Sequence, residues 1–442
     1  MYATVINNAL TQSDYALLQR AMIAGVKSAA EKIKILNSLQ KLYPQSNLVP
    51  DVNMEIANTF MADEKFRDAL PYLNAIVSAK DAGGLKPKAY LKLGLSYYNI
   101  DKNKEALENY QVLIQQFPQS AEADEAMDNI KNIFVEEGRP NDYVELMRKN
   151  GKSISVSEAD SLTYIAAEIK YNASDCNAAI AGYSNYIARF PDGAYALEAY
   201  YFRSDCYNKN KDWQNALAGY QYVNQKGQNK YFEKATFTAA QINYFELKDY
   251  AAAKTYFLSL LQGAVNQDNR LEALRGIVRC FYQVKDYAQA NEAARELLGK
   301  KGISTDDRSV AYLVLGKSQQ MAKDCNAAIT SFKSCAGINK SAWGAEARYE
   351  IANCNFTIAN YSAAEKAAMA TIRETGSYDL WVTKSYILLG DIFMQHKDYF
   401  NAKATYESVA KNASITELKN EAQQKFDQAV AAEKSNSKIE AQ

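Results

Sequence analysis

Few residues in this 442-residue chain have the types and spacing that chemistry needs. There is one histidine, His396, so any triad would depend on that residue alone, and His-rich zinc sites are excluded. It lies in the polar run Gln395-His396-Lys397-Asp398, the composition of a solvated turn. Leu315-Gly316-Lys317-Ser318 imitates the end of a phosphate-binding loop, but that motif requires a glycine five residues before Gly316, where Ala311 stands. The Asn-x-Ser/Thr triplets at Asn172, Asn355 and Asn412 carry no weight, because such triplets arise by chance. No carboxylate pair stands out from ordinary helix-surface charge. The expectation is a protein without catalysis, cofactor or metal.

Composition narrows the classes further. With 48% hydrophobic residues, 23% charged and 7 prolines, the chain is not wholly disordered. Lys+Arg and Asp+Glu number 51 each, which leaves no net basic charge to attract nucleic acid or an anionic membrane surface. No run of 18 apolar residues exists to span a bilayer as a helix. The start, MYATVINNALTQSDYALLQ, has no basic region followed by an apolar one and does not read as a signal peptide. The chain is therefore expected to be cytoplasmic, or to be a mature or trimmed piece.

The elements that position these residues follow an internal period. An anchor alanine recurs at Ala69, Ala106, Ala179, Ala216, Ala253, Ala290, Ala328, Ala364 and Ala402, in steps of 36 to 38 residues. The one long step, 73 residues, holds Tyr143 at its expected middle position. Apolar residues at i, i+3, i+4 and i+7 on both sides of a short polar turn predict two helices per unit, and strand-like alternation is absent. Twelve residues before the anchor sits a small residue, most clearly Gly94, Gly316 and Gly390. Four after it comes a ring, Tyr110, Tyr183, Tyr220, Phe257, Phe332 or Tyr406, expected to fill the space the small residue leaves. Pro44, Pro118 and Pro191 close second helices.

This spacing resembles the tetratricopeptide repeat (TPR), most specifically in Tyr90, Leu93, Gly94, Tyr97, Ala106, Tyr110 and Pro118. The resemblance covers about residues 13–410. It implies an all-α, right-handed α-solenoid of about 10–11 TPR-like helical hairpins with a C-terminal capping helix. The chain departs from the family in its period of about 37 residues instead of 34, and several units lack the glycine or proline. The phrases around Phe117-Pro118 and Phe190-Pro191 resemble FP-x-(S/G) linkers of periplasmic and outer-membrane repeat proteins, Tol–Pal coordinators and Bacteroidetes-type repeat proteins among them. Gly138, Pro140 and Gly151 suggest a bend near 138–158. The expected division is 1–150 and 151–414 for two sets of repeats, then 415–442 for a capping helix and a frayed tail. Residues 1–44 match the repeat poorly, so the array is expected to continue upstream.

A repeat array of this kind implies binding of a protein or peptide partner. The leading expectation is a scaffold or adaptor of a cell-envelope assembly, periplasmic or outer-membrane associated, in a membrane-associated complex. The alternatives are a cytoplasmic co-chaperone-like or regulatory adaptor and a glycan-binding repeat protein; nucleic acid is not expected. Side chains six and three before the small residue, and one and four after it, share a face assigned to the inside of the superhelix. On the central units these are Tyr164, Glu168, Tyr171, Glu198, Tyr201, Asp205, Thr238, Ile242, Phe245, Glu272, Arg275, Arg279 and Tyr282. Rings beside both charge signs suit a peptide with a basic stretch next to an acidic one.

The six cysteines contain no CxxC pair. Asp-Cys-Asn-Ala-Ala-Ile occurs at 175–180 and again at 324–329, and another cysteine follows 30 and 29 residues after the first. One cysteine of each pair opens a second helix and the other ends the next first helix, and antiparallel helices bring those places to one end of the layer. Disulfides Cys176–Cys206 and Cys325–Cys354 are expected, with Cys280 and Cys335 free; the alternative is buried thiols.

Overall fold

The computed structural model describes residue 4 and residues 12–439. Among them are 23 α-helices, one π-helical turn and no strand. The chain divides into two compact units, Met1–Asn210 and Lys211–Gln442. The boundary expected at 150/151 falls within the first of these, where the helix Val156–Asn172 packs on both helices before it, Ala121–Glu136 and Pro140–Lys149.

The first unit contains α1 (Ser13–Gly25), α2 (Ala29–Leu42), α3 (Val49–Ala62), α4 (Phe66–Ser78), α5 (Leu85–Tyr98), α6 (Asn103–Gln116), α7 (Ala121–Glu136), α8 (Pro140–Lys149), α9 (Val156–Asn172), α10 (Cys176–Arg189) and α11 (Ala196–Lys209). The second contains α12 (Trp213–Gln225), α13 (Phe232–Gln241) with the π turn Ile242–Glu246, α14 (Tyr250–Gly263), α15 (Gln267–Val284), α16 (Ala290–Gly299), α17 (Thr305–Met321), α18 (Cys325–Ile338), α19 (Ala342–Thr357), α20 (Tyr361–Glu374), α21 (Asp379–Gln395), α22 (Tyr399–Asn412) and α23 (Thr416–Ile439). The last helix runs through residues that read as a frayed tail, and 440–442 lie outside the described residues. The expected upstream continuation rests on residues before Ser13, most of which also lie outside them.

The turn inside each hairpin has a backbone signature. Glu64, Asp101, Gly138, Ser174, Lys211, Lys248, Lys285, Lys323, Ala359 and Lys397 have φ between 56° and 77°, and each lies five residues before an anchor position, Tyr143 included. The left-handed residue ends one helix by letting the next N–H reach five residues back, as from Lys102 to Tyr97 O at 2.9 Å and Asp324 to Gln319 O at 3.0 Å. Asp175, Asp212, Asp249, Asp324 and Asp398 follow directly and cap the second helix, each accepting from the N–H three residues on. The degenerate unit keeps the register because Gly138 occupies the left-handed place.

Packing follows the expected small-residue and ring scheme. All nine anchor alanines are completely buried, and Tyr143 is buried in the same place. A Cβ on Gly94, Gly316 or Gly390 would lie 2.2–2.4 Å from the ring of Tyr110, Phe332 or Tyr406 respectively, and all three rings are buried. The missing Cβ is what admits the ring.

Within each unit the first helices of successive hairpins pack on one another, α3 on α5, α5 on α7, α7 on α9 and α9 on α11, then α13 on α15, α15 on α17, α17 on α19 and α19 on α21. Second helices of neighbouring hairpins touch marginally at most. The compressed layer is the inner one, so first helices line the concave side of each unit.

Candidate functional site

Of the thirteen residues expected on the inner face, six belong to the first unit and seven to the second, and each set is described within its own unit. In the first, Tyr164 and Tyr201 are 5% and 4% exposed and belong to the core. Tyr164 stacks on Tyr195 at 4.5 Å and packs against Tyr183 and Tyr186. Both tyrosines lie three residues before the small position, where one first helix meets the next, and that contact removes them from any groove. Glu168 accepts from Tyr164 Oη at 2.9 Å. Tyr171 donates to Asp205 Oδ2 at 2.8 Å, Lys209 pairs with the same oxygen at 2.8 Å, and the ammonium lies 4.7 Å from the Tyr171 ring centre. Burial, then the Asp205 bond, pushes the Tyr171 phenol up to about 12. Asp205 therefore presents a neutralised face, and Glu198, half-buried on the same helix, is also engaged within the protein.

The second unit carries a longer polar ladder. Arg275 Nε pairs with Asp307 Oδ2 at 2.8 Å and its Nη1 with Glu272, while Arg279 Nη2 reaches Asp306 Oδ2 and Asp307 Oδ1, both at 2.9 Å. Burial pushes the Asp307 carboxyl up, but the Ser304 hydroxyl and the two guanidiniums outweigh it and hold the group below its ordinary value. Tyr282 donates to Glu346 at 2.6 Å and meets Trp343 edge-on at 4.8 Å, and Trp343 Nε1 donates to Asp306 at 3.0 Å. Lys317 sits between Glu346 and Glu350 at 2.7 and 2.6 Å, and Gln320 and Asn353 donate to Glu350. Burial lowers the Lys317 pKa, yet the two carboxylates prevail and raise it above the ordinary lysine value.

These pairs correct the expected binding chemistry. Arg275 and Arg279 are neutralised by Asp306 and Asp307 from the next first helix, so they offer no free basic stretch. Ile242 is buried and Thr238 half-buried, leaving Phe245 as the openly exposed ring of the set, at 55%.

Phe245 owes its exposure to the backbone. Asn243 is buried and its amide donates to Ala239 O at 2.8 Å. The helix widens into the π turn, closed by Leu247 N–H to Ile242 O at 3.0 Å. Phe245 rests edge-on against Tyr244 at 4.8 Å. Beside it opens a cavity of about 120 Å³ lined by Phe237, Gln241, Tyr244, Phe245, Phe257, Glu272, Arg275, Gly276 and Arg279. A Cβ on Gly276 would meet the Phe257 ring at 2.5 Å, so the glycine lets that ring form the pocket wall. A space of this order takes one aromatic or branched aliphatic side chain.

The cysteines are all free thiols, so the expected disulfides are not formed, yet the expected pairs do meet. Cys176 packs against the core cluster that holds Cys206, and Cys325 and Cys354 share another. Cys335 donates to Trp343 O at 3.6 Å, and Cys280 is buried in the core. His396 is exposed in its turn, with its ring edge-on to Tyr361 at 5.6 Å. Among the described residues no three His, Cys, Asp or Glu side chains converge as a metal site, and no helix is long and apolar enough to cross a membrane.

The family pattern of the tetratricopeptide repeat matches residues 88–120, the hairpin of α5 and α6. No curated protein matches the chain. Among solved structures, it is similar to a tetratricopeptide repeat protein from Parabacteroides merdae, at 13% identity over 61% of this chain and 98% of that one, TM-score 0.31. It is also similar to yeast Tom70, at 10% identity over 96% of both chains, TM-score 0.33. A third is the C-terminal part of a TPR repeat-containing protein from Cytophaga hutchinsonii, at 15% identity over 57% and 97%, TM-score 0.30.

Proposed function

We propose that this tetratricopeptide-repeat array is a non-catalytic scaffold that binds a peptide segment of a protein partner on the first helices of its second unit. The observation that carries the reading is the pocket beside Phe245, walled by the rings of Phe237, Tyr244, Phe245 and Phe257 and rimmed by Gln241, Glu272, Arg275 and Arg279, whose charges are paired internally. A partner would insert one aromatic or aliphatic anchor there, and its backbone or polar side chains would meet Gln241 and Glu272 at the rim. Buried anchors of this kind dominate binding energy, whereas paired surface charges chiefly set orientation. Cell-envelope assembly is the setting we assign to it, on the FP-x-(S/G) linkers alone. Those linkers also have local structural work: Ser120 caps α7, and Tyr186 Oη accepts from Tyr195 N–H beside Gly193.

The test is selection of displayed peptides on the intact chain, followed by affinity measurement with Phe245→Glu. Because Phe245 is exposed, the variant should keep its helicity. Selected peptides should share an apolar anchor and lose on the order of tenfold or more in affinity. Peptides that bind the variant as well as the parent would place the site elsewhere. Fractionation of the native host tests the setting separately, and a cytoplasmic protein would overturn it while leaving the pocket reading intact.

A further inference from the structure

The two cysteine pairs occupy one place in the repeat. Cys176 and Cys325 each lie two residues after a left-handed turn residue, Ser174 and Lys323, while Cys206 and Cys354 each lie five before the next one, Lys211 and Ala359. In both cases the first thiol opens a second helix, α10 or α18, and the other sits late in the first helix that packs on it, α11 or α19. Cys176 packs against the core cluster that holds Cys206, and Cys325 and Cys354 belong to one cluster, so within each pair the thiols are neighbours. The same juxtaposition thus arises once in each unit, from the fold's own register. Cys280 lies five before Lys285, the same place as Cys206 and Cys354, but Tyr250 stands two after Lys248 where its partner thiol would be; Cys335, within α18, shares the second pair's core cluster, and both are fully buried.

We propose that Cys176/Cys206 and Cys325/Cys354 are two dithiol sites that a disulfide co-reactant converts to intramolecular disulfides, each stapling a hairpin to the one after it. The chemistry is thiol–disulfide exchange. The thiolate of one cysteine attacks a disulfide RS–SR, forming a mixed disulfide and releasing RS⁻, which takes up the proton lost by the attacking thiol. The neighbouring cysteine, deprotonated in turn, attacks the protein-bound sulfur and expels the second RS⁻, which is protonated. Two protein thiols are oxidised and one RS–SR is reduced to two RSH. Cys176 is the entry point of its pair, being half-exposed, while Cys206 is fully buried. Burial, then the neighbouring thiol, pushes Cys206 and Cys354 up to about 12, which keeps them protonated and inert to solvent oxidants, so that each acts only, and slowly, on a sulfur already bound to its neighbour. In the second pair both sulfurs are buried, with Cys325 5% exposed, so exchange there waits on local opening and is slower.

The experiment equilibrates the intact chain with glutathione buffers of increasing oxidised fraction, blocks remaining thiols with N-ethylmaleimide, and maps peptides without reductant. The expected result is a 176–206 linkage that forms first, a 325–354 linkage that forms later, and Cys280 and Cys335 alkylated only after denaturation. Full oxidation should raise the melting temperature by about 5 °C or more, since each bridge closes a loop of about 30 residues. The Cys206→Ser variant, checked for helicity, should retain glutathione on Cys176 as a lasting mixed disulfide, whereas the parent sheds it. Recovery of both pairs as thiols or as stable glutathione adducts in fully oxidising buffer would overturn the proposal, as would a scrambled linkage to Cys280 or Cys335.

Discussion

Replacing Lys317 by Met tests whether the polar ladder of the second unit is a set of mutually dependent charges. Glu346 and Glu350 are 4% and 6% exposed, and Lys317 is the cation between them. Methionine keeps the volume and leaves two carboxylates facing each other out of water. Breaking a buried pair from one side costs about 3–5 kcal/mol. A second route gives a similar ceiling, because one carboxylate can relieve the repulsion by taking up a proton. At pH 7 that costs about 1.4 kcal/mol for each pH unit above a pKa near 4.5, or about 3.4 kcal/mol. The sign with pH then reverses. In the parent, burial raises the Glu350 pKa but Lys317 and the amides of Asn353 and Gln320 hold it below 4.5, so its contribution is present above pH 4.5 and fades as pH falls through the folded value. In the variant the folded pKa of the pair is raised, and the folded state gains protons first. The deficit should therefore shrink by up to about 1.4 kcal/mol per unit as pH falls from 7 towards 4.5. Urea titration followed by tryptophan fluorescence reads it, since Trp343 and Trp381 both adjoin the ladder. Amide exchange in α17 and α19 localises the loss, as a repeat array opens locally. A loss below about 1 kcal/mol at pH 7, or one that is the same at pH 5, would refute the reasoning.

Phe332→Ala should cost about 3–5 kcal/mol in urea titration, because it empties the space that Gly316 leaves and the ring is completely buried. Lys323→Gly should stabilise the second unit by up to about 1 kcal/mol by relieving a non-glycine left-handed residue, and Gly138→Ala should destabilise the first by about as much, both measurable as shifts in thermal midpoint. Asp307, held below its ordinary pKa, stabilises the fold above about pH 3.9, and that contribution is lost as pH falls through the folded value. The stability gap between the parent and Asp307→Asn should accordingly be steady from pH 7 to about 4 and close below that.

The hairpins were legible because their determinants are local and repeated. An alanine that must be fully buried and a glycine that must admit a ring leave a spacing that survives even where the middle unit has Tyr143 in place of the alanine. The division at 210/211 was not legible, since Gly138 reads as a breaker in sequence but serves as the ordinary left-handed turn residue of its hairpin. The offsets assigned to the inner face fall in two different environments. Three before the small residue, Tyr164, Tyr201, Leu313 and Ile387 are buried, whereas Thr238 and Arg275 at the same offset are half-buried. The position one after the small residue stays polar in Glu168, Asp205, Arg279, Lys317, Asn353 and Asp391, and Ile242 breaks that pattern beside the π turn. Carried two hairpins further, the inner-face rule would have found Lys317, Gln320, Glu346 and Asn353; Lys317 pairs with Glu346, and Lys317, Gln320 and Asn353 all bind Glu350. What no offset count reveals is pairing across hairpins. Arg279 looks like a free cation until α17 brings Asp306 and Asp307 against it, and that pairing is why the proposed site rests on the pocket beside Phe245 and not on charge.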